Sequence, residues 1–161
     1  MKLATTTGIY AHRVKDLMSK DVVAVEARDT IHEALTLMGE NRVSTLPVVD
    51  NHNRCVGILS TADLVDMTRD LDSDIAMIHA ADDRSLRFLL ERLSQHAGEE
   101  SVQSFMSESV ATISPETSIA IATREMLRNQ IHHLPVVNDQ GKLVGIVSSI
   151  DILAEFADGA P

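Results

Sequence analysis

Apolar and polar positions follow two different periods along this chain, and the same succession of periods occurs twice. Val22-Val23-Ala24-Val25 is a short run rich in β-branched side chains, which predicts a strand. Asp29 or Thr30 then supplies a helix cap, and Ile31, Ala34, Leu35 and Met38 recur at the spacing of one helix face. Strands are predicted over 46–49 and 55–59, with Pro47 near the start of the first, where its missing N–H does least harm. The polar turn Asp50-Asn51-His52-Asn53 joins them, and a last helix begins near Ser60. Farther on, Val110-Ala111-Thr112-Ile113 predicts a strand and Ser114-Pro115-Glu116-Thr117 a helix start. Ile119, Ala122, Met126 and Leu127 predict the apolar face of that helix. The strand Leu134-Pro135-Val136-Val137, the hairpin turn Asn138-Asp139-Gln140-Gly141, a strand through Val144-Gly145-Ile146 and a helix from near Ser148 complete the series.

The two series are one repeat at an offset of 88 residues. That offset relates Met18-Ser19 to Met106-Ser107, Leu46-Pro47-Val48-Val49 to Leu134-Pro135-Val136-Val137, and Val56-Gly57-Ile58 to Val144-Gly145-Ile146. No gap is needed from Val14/Val102 to Val65/Leu153, and 17 of those 52 aligned positions are identical. The expected fold class is α/β (α+β): two β-α-β-β-α repeats packed sheet to sheet as one pseudo-twofold module, since one unit of this size cannot bury both faces of its sheet. The expected organisation is an N-terminal lead (1–13), repeat 1 (14–70), a helical insert (71–101), repeat 2 (102–157) and a short tail (158–161). Within the insert, helices are predicted over 74–79 and 85–96, the second with Leu86, Leu89, Leu90 and Leu93 on one face. That face either packs on the body of the protein or serves as a dimer or partner surface.

Composition narrows the function. The 161 residues carry 14 Lys and Arg against 24 Asp and Glu, a net charge of −10, which argues against nucleic acid and anionic membrane as partners. Aromatic residues are 2% of the chain, with no Trp, so no set of rings is present on which bases would stack. A bound adenine would lie between aliphatic side chains. The single cysteine, Cys55, sits in an apolar run and predicts a buried, inert thiol. The first residues are too polar for a signal peptide and no apolar run is long enough to span a membrane, so a cytoplasmic location is expected.

The candidate chemistry lies where the last strand of each repeat meets its helix. Gly57-Ile58-Leu59-Ser60-Thr61-Ala62-Asp63 and Gly145-Ile146-Val147-Ser148-Ser149-Ile150-Asp151 share a Ser-x-x-Asp step. Free N–H groups at a helix start favour an anion, a serine hydroxyl there can bond a phosphate, and a carboxylate one turn later can accept from both hydroxyls of a ribose. Ser-x-x-Asp is equally a helix cap, and duplication copies a cap as faithfully as a site. A second candidate is His132-His133, ahead of Leu134-Pro135; imidazoles can bond phosphate, more strongly when protonated. Repeat 1 has Ser44-Thr45 there, with Arg42 two residues earlier. Adjacent histidines are poor zinc spacing, so no metal site is expected. No nucleophile elbow, phosphate-binding loop or dinucleotide fingerprint is present, and nothing in the sequence proposes an enzyme.

Met-Ser ahead of the first strand, Leu-Pro-Val-Val, and Val-Gly-Ile-x-Ser-x-x-Asp together resemble CBS (cystathionine-β-synthase-type) domains in two copies, over roughly 10–70 and 100–157. The resemblance implies a Bateman module with two clefts between the repeats, joined as a disk-like homodimer. It also implies a regulatory role through AMP, ADP, ATP or S-adenosylmethionine, with no obligatory cofactor. The family's ribose-binding acid matches Asp63 and Asp151, its hydroxyl matches Ser60 and Ser148, and its base-contacting apolar residue matches Ile58 and Ile146. Its phosphate-facing basic residue is matched by His132 and His133, whereas Ser44 and Thr45 depart from the pattern, so the two clefts are expected to be unequal. The leading expectation is an adenine-nucleotide sensor acting in trans on a protein partner. The alternative is a ligand-free dimerisation scaffold.

Overall fold

A computed structural model describes residues 12–67, 91 and 99–158. Apart from Glu91, the helices expected over 74–79 and 85–96 lie outside the described residues. The chain divides into two compact units that do not follow the sequence repeats strictly. One comprises Val23–His52 and Val56–Val110, and is called here the repeat-1 unit. The other, the repeat-2 unit, comprises Met1–Val22, Asn53–Cys55 and Ala111–Pro161.

In the repeat-1 unit, β1 (Val25–Glu26) runs parallel to β2 (Thr45–Val49), pairing Val25 with Val48, and β3 (Cys55–Ser60) joins the other edge of β2. Helix α2 (Ile31–Asn41) connects β1 to β2, and α3 (Thr61–Met67) follows β3. The Thr30 hydroxyl caps α2 by accepting from the Glu33 N–H at 3.2 Å, and the Glu33 carboxylate returns the bond to the Thr30 N–H at 2.8 Å. The Thr30 N–H and the Thr30 hydroxyl, the latter at 3.0 Å, both donate to the Glu33 carboxylate and hold this exposed group below its ordinary pKa. The helix stops at Arg42, which takes a left-handed conformation (φ 55°). The core gathers Ile31, Ala34, Leu35 and Met38 of α2 with Leu46 and Val48 of β2, Leu59, Leu64 and Val102. Val102 opens a 3-10 turn (Val102–Ser104) that starts repeat 2 in sequence, so the lead segment of repeat 2 completes the core of repeat 1.

The repeat-2 unit makes the reciprocal arrangement. Helix α1 (Val14–Leu17), the lead of repeat 1, buries Val14 among Ile119, Ala122, Leu134, Val136 and Val147. Its docking is tied down by Val14 N–H to Thr117 O and Lys15 N–H to Pro115 O, with the Lys15 ammonium 2.8 Å from the Glu116 carboxylate. Helix α4 (Ile119–Asn129) precedes the antiparallel hairpin β4 (His133–Val137) and β5 (Leu143–Ser148), and α5 (Ser149–Asp158) closes the chain. Bridges related by the 88-residue offset mark the exchange: Arg13 with Ser118 and Ser19 with Ile146 in this unit, Ser101 with Thr30 and Ser107 with Ile58 in the other. Among the described residues no helix is long and apolar enough to cross a membrane.

Several expectations shift. The first strand of each repeat is far shorter than its apolar run: only Val25 and Glu26 pair in repeat 1, and repeat 2 has one parallel bridge, Ile113 to Val136. The α4 cap is Ser118, four residues after Ser114, because Ser114–Thr117 close a turn of their own (Thr117 N–H to Ser114 O, 3.0 Å) that receives α1. Leu127, expected on the apolar face, is 75% exposed. It follows Met126 by 100° around the helix and so leaves the stripe that Ile119, Ala122 and Met126 bury. Cys55 is half-buried rather than buried, at the start of β3.

Candidate functional site

Each unit carries the same construction at the end of its last strand. Ser60 ends β3 and Ser148 ends β5, each just before the first residue of a helix, α3 or α5. The Ser148 hydroxyl donates to Asp151 Oδ2 at 2.7 Å, the Ser148 N–H donates to the same oxygen at 2.7 Å, and the Asp151 N–H donates back to Ser148 Oγ at 3.1 Å. At Ser60 and Asp63 the corresponding distances are 2.6, 2.7 and 3.3 Å. Both Ser-x-x-Asp steps are therefore reciprocal helix caps. Capping occupies only one oxygen of each carboxylate. Asp151 Oδ1 carries no hydrogen bond among the described residues, whereas Asp63 Oδ1 accepts from the Ser107 hydroxyl at 3.2 Å.

The strand pairing brings the remaining candidates of repeat 2 to the same place. In the β4–β5 ladder His133 lies opposite Ser148, and Pro135 opposite Ile146. The His132 carbonyl accepts from the Ser149 N–H at 2.9 Å, fixing the start of β4 to the first residue of α5. His133, Ile146, Ser148 and Asp151, all partly buried, thus lie together, whereas His132 is exposed and is placed here through its carbonyl. Burial holds the His133 imidazole below its ordinary pKa, the neighbouring His132 adds to the effect, and Asp151 opposes it. At neutral pH His133 is consequently a neutral hydrogen-bonding group rather than a cation. In repeat 1, Ile58, Ser60 and Asp63 stand in equivalent places, and the Ser44 carbonyl accepts from the Thr61 N–H at 3.0 Å. Thr45 takes the position of His133, and no histidine flanks that site in sequence.

The Met-Ser pair, recognised in the sequence as part of the repeat and of the CBS resemblance but not as a site element, borders the sites. Ser19 and Ile146 exchange two backbone bonds (Ser19 N–H to Ile146 O, 2.9 Å; Ile146 N–H to Ser19 O, 3.0 Å), and Ser107 does the same with Ile58 (2.9 and 3.1 Å). The preceding methionine lies over the strand glycine. A Cβ at Gly145 would come within 2.5 Å of Met18 Sδ, and one at Gly57 within 2.6 Å of Met106 Sδ. The invariance of Met-Ser between the repeats was the available signal. Among the described residues no three metal-ligating side chains cluster.

The CBS domain family model matches residues 14–70 and 102–158. The chain is 31% identical over 150 residues to protein MJ1426 of Methanocaldococcus jannaschii, covering 87% of this chain and 88% of that protein. It is 33% identical over 139 residues to the CBS domain-containing protein YhcV of Bacillus subtilis, covering 86% and 81%. Among solved structures, the CBS domain pair of protein MJ0100 in complex with 5′-methylthioadenosine and S-adenosyl-L-methionine superimposes with a TM-score of 0.66 at 25% identity, covering 90% of this chain and 99% of that one. Two matched repeats, relatives covered over most of their length and a shared pair architecture lead to one conclusion: the chain belongs to the CBS domain family, as a tandem CBS pair.

Proposed function

We propose that this protein is a regulatory module that binds an adenine nucleotide (AMP, ADP or ATP) or S-adenosylmethionine and signals in trans to a protein partner, without chemistry of its own. The observation that carries the reading is Asp151 Oδ1, one turn into α5 and without a hydrogen bond among the described residues, with His133 across the ladder and Ile146 two residues before Ser148. An oxygen left over by a cap is an acceptor for a ribose diol, Ile146 supplies an apolar surface for a base, and His132 and His133 supply donors for a 5′ substituent. The adenosine compounds held by the MJ0100 pair support the class of ligand. Repeat 1 offers Ile58, Ser60 and Asp63 for a second site without the histidines. A cytoplasmic homodimer is the assembly we propose for it.

A thermal-shift panel of AMP, ADP, ATP, GTP, NAD and S-adenosylmethionine tests this, repeated with Asp63→Ala and Asp151→Ala. A ligand at about 100 times its dissociation constant adds about 2.7 kcal/mol, or about 5–10 °C for a chain of this size. An adenine-selective shift lost in Asp151→Ala is the expected result. No shift with any ligand would sink the sensor.

A second reading, a scaffold that dimerises without ligand, is favoured by one observation. Helices α4 and α5 expose Ile121, Leu127, Ile150, Leu153 and Phe156, where repeat 1 has Glu33, Gly39, Ala62, Val65 and Thr68. Sedimentation of Phe156→Asp separates the two: a scaffold loses its dimer, whereas a sensor keeps its ligand shift whichever assembly it forms.

A further inference from the structure

Ser107 is held in place with unusual definition for an exposed residue. Its N–H donates to the Ile58 carbonyl and its carbonyl accepts from the Ile58 N–H, so its backbone is locked two residues ahead of Ser60 on the strand that delivers Asp63. Met106, just before it, lies against Gly57, which leaves the segment little room to slide. From that anchorage the hydroxyl reaches Asp63 Oδ1, while the cap takes Oδ2. Both carboxylate oxygens of Asp63 are therefore engaged within the unit. The repeat-2 unit has the same bridge, the same cap and the same methionine over glycine, yet the Ser19 hydroxyl makes no bond to Asp151 among the described residues.

We infer that Ser107 sets the affinity of the repeat-1 site, its hydroxyl holding the carboxylate oxygen of Asp63 that a ribose hydroxyl would otherwise take. This rests on the nucleotide reading and deepens it. At Asp151 an incoming ribose hydroxyl gains a bond to an oxygen that no described residue engages. At Asp63 it must displace one hydroxyl to install another, so the exchange returns little. The two sites then fill in order, Asp151 first, and one chain responds to the same ligand at two concentrations.

Isothermal titration of the full chain with AMP tests this. Asp151→Asn, which keeps an amide oxygen for the α5 cap, serves as the background that leaves the repeat-1 site alone. Adding Ser107→Ala should tighten AMP at that site about three- to ten-fold, within the range for the net worth of one typical hydrogen bond no longer in competition. The gain should vanish for 2′,3′-dideoxyadenosine monophosphate, which lacks the diol, and Ser19→Ala should produce no gain. AMP affinity that is unchanged or weakened by Ser107→Ala, or an equal gain with the dideoxy compound, overturns the inference and leaves the nucleotide reading standing. A wild-type chain that binds AMP while the double variant binds none overturns it too, because Asp63 then takes no ribose. Absence of AMP binding by the wild type and every variant also overturns the inference, and the nucleotide reading falls with it only when ADP, ATP and S-adenosylmethionine fail to bind as well.

Discussion

Replacing Gly145 by alanine pits two effects of opposite sign against each other, and the structure decides between them. Gly145 lies in β5 with a backbone that alanine can adopt, so the substitution by itself restricts the unfolded chain and gains about 0.4–1 kcal/mol. Against this, the new Cβ would meet Met18 Sδ at 2.5 Å, Met18 Cγ at 3.1 Å and the Ser19 carbonyl oxygen at 3.1 Å. Ordinary contacts between such atoms begin near about 3.5 Å, so the sulfur must retreat by about 1 Å. The thioether can turn, but the Ser19 oxygen is backbone and is fixed by the Ile146 N–H at 3.0 Å. Overpacking of this kind costs about 1–3 kcal/mol, so the steric effect wins and the net loss is about 1–2 kcal/mol. Thermal unfolding followed by circular dichroism should show Tm lowered by about 3–8 °C. Hydrogen exchange should accelerate at the Ile146 and Ser19 amides, where the lead segment is levered off β5. Gly141→Ala is the contrasting case. Nothing lies within 4 Å of its added Cβ, but its φ of +74° costs alanine about 1 kcal/mol, with no change in exchange at Ile146. A Gly145→Ala protein as stable as the wild type, with unaltered exchange at both amides, would refute the reasoning.

The depressed pKa of His133 makes stability depend on pH in a definite direction. As pH falls below the ordinary histidine value of about 6.5, the unfolded chain takes the proton first, so this contribution is complete above that value and is lost on descent toward the lower folded value. Urea midpoints of His133→Gln from about pH 8 to about pH 5 should fall less steeply than those of the wild type; parallel curves would exclude the burial effect. Thr30→Ala removes the hydroxyl that caps α2 and should cost about 1 kcal/mol by chemical denaturation, and no change would mean that the cap is dispensable. Ser148→Ala removes a hydroxyl that both donates to and accepts from Asp151, so a similar loss of about 1 kcal/mol is expected in the absence of any ligand.

Local elements were largely legible in the sequence because their causes are local. Thr30 caps α2, Pro47 sits third in β2, and the turn Asn138–Gly141 closes on Asn138 Oδ1, which accepts from the Gln140 and Lys142 N–H groups. The Ser-x-x-Asp steps were legible as caps, and the structure adds which carboxylate oxygen each cap leaves over. Val22-Val23-Ala24-Val25 misled because an apolar run reports burial rather than pairing: Val23 packs against the core of the repeat-1 unit, yet only Val25 and Glu26 find a strand partner. Leu127 misled because one residue of helical phase separates a buried position from an exposed one. The exchange of lead segments was out of reach, since Met18-Ser19 and Met106-Ser107 read identically whichever repeat they close. The bond from Ser107 to Asp63 follows from that exchange and was equally hidden.

That exchange also imposes an order on the making of the molecule. The repeat-1 unit draws on residues 23–52 and 56–110, so its parts have all been synthesised before β4 and β5 exist. The repeat-2 unit joins segments far apart in sequence: Val14 is made before every other member of its core, yet it stays uncovered until Ile119, Leu134 and Val147 arrive to bury it. Contacts this far apart in sequence are slow to close, so the Ile58 amide should gain protection in pulse-labelled refolding before the Ile146 amide does. The segment that carries Val14 thus waits for the strands of repeat 2, while the residues of the repeat-1 unit are already at hand to close.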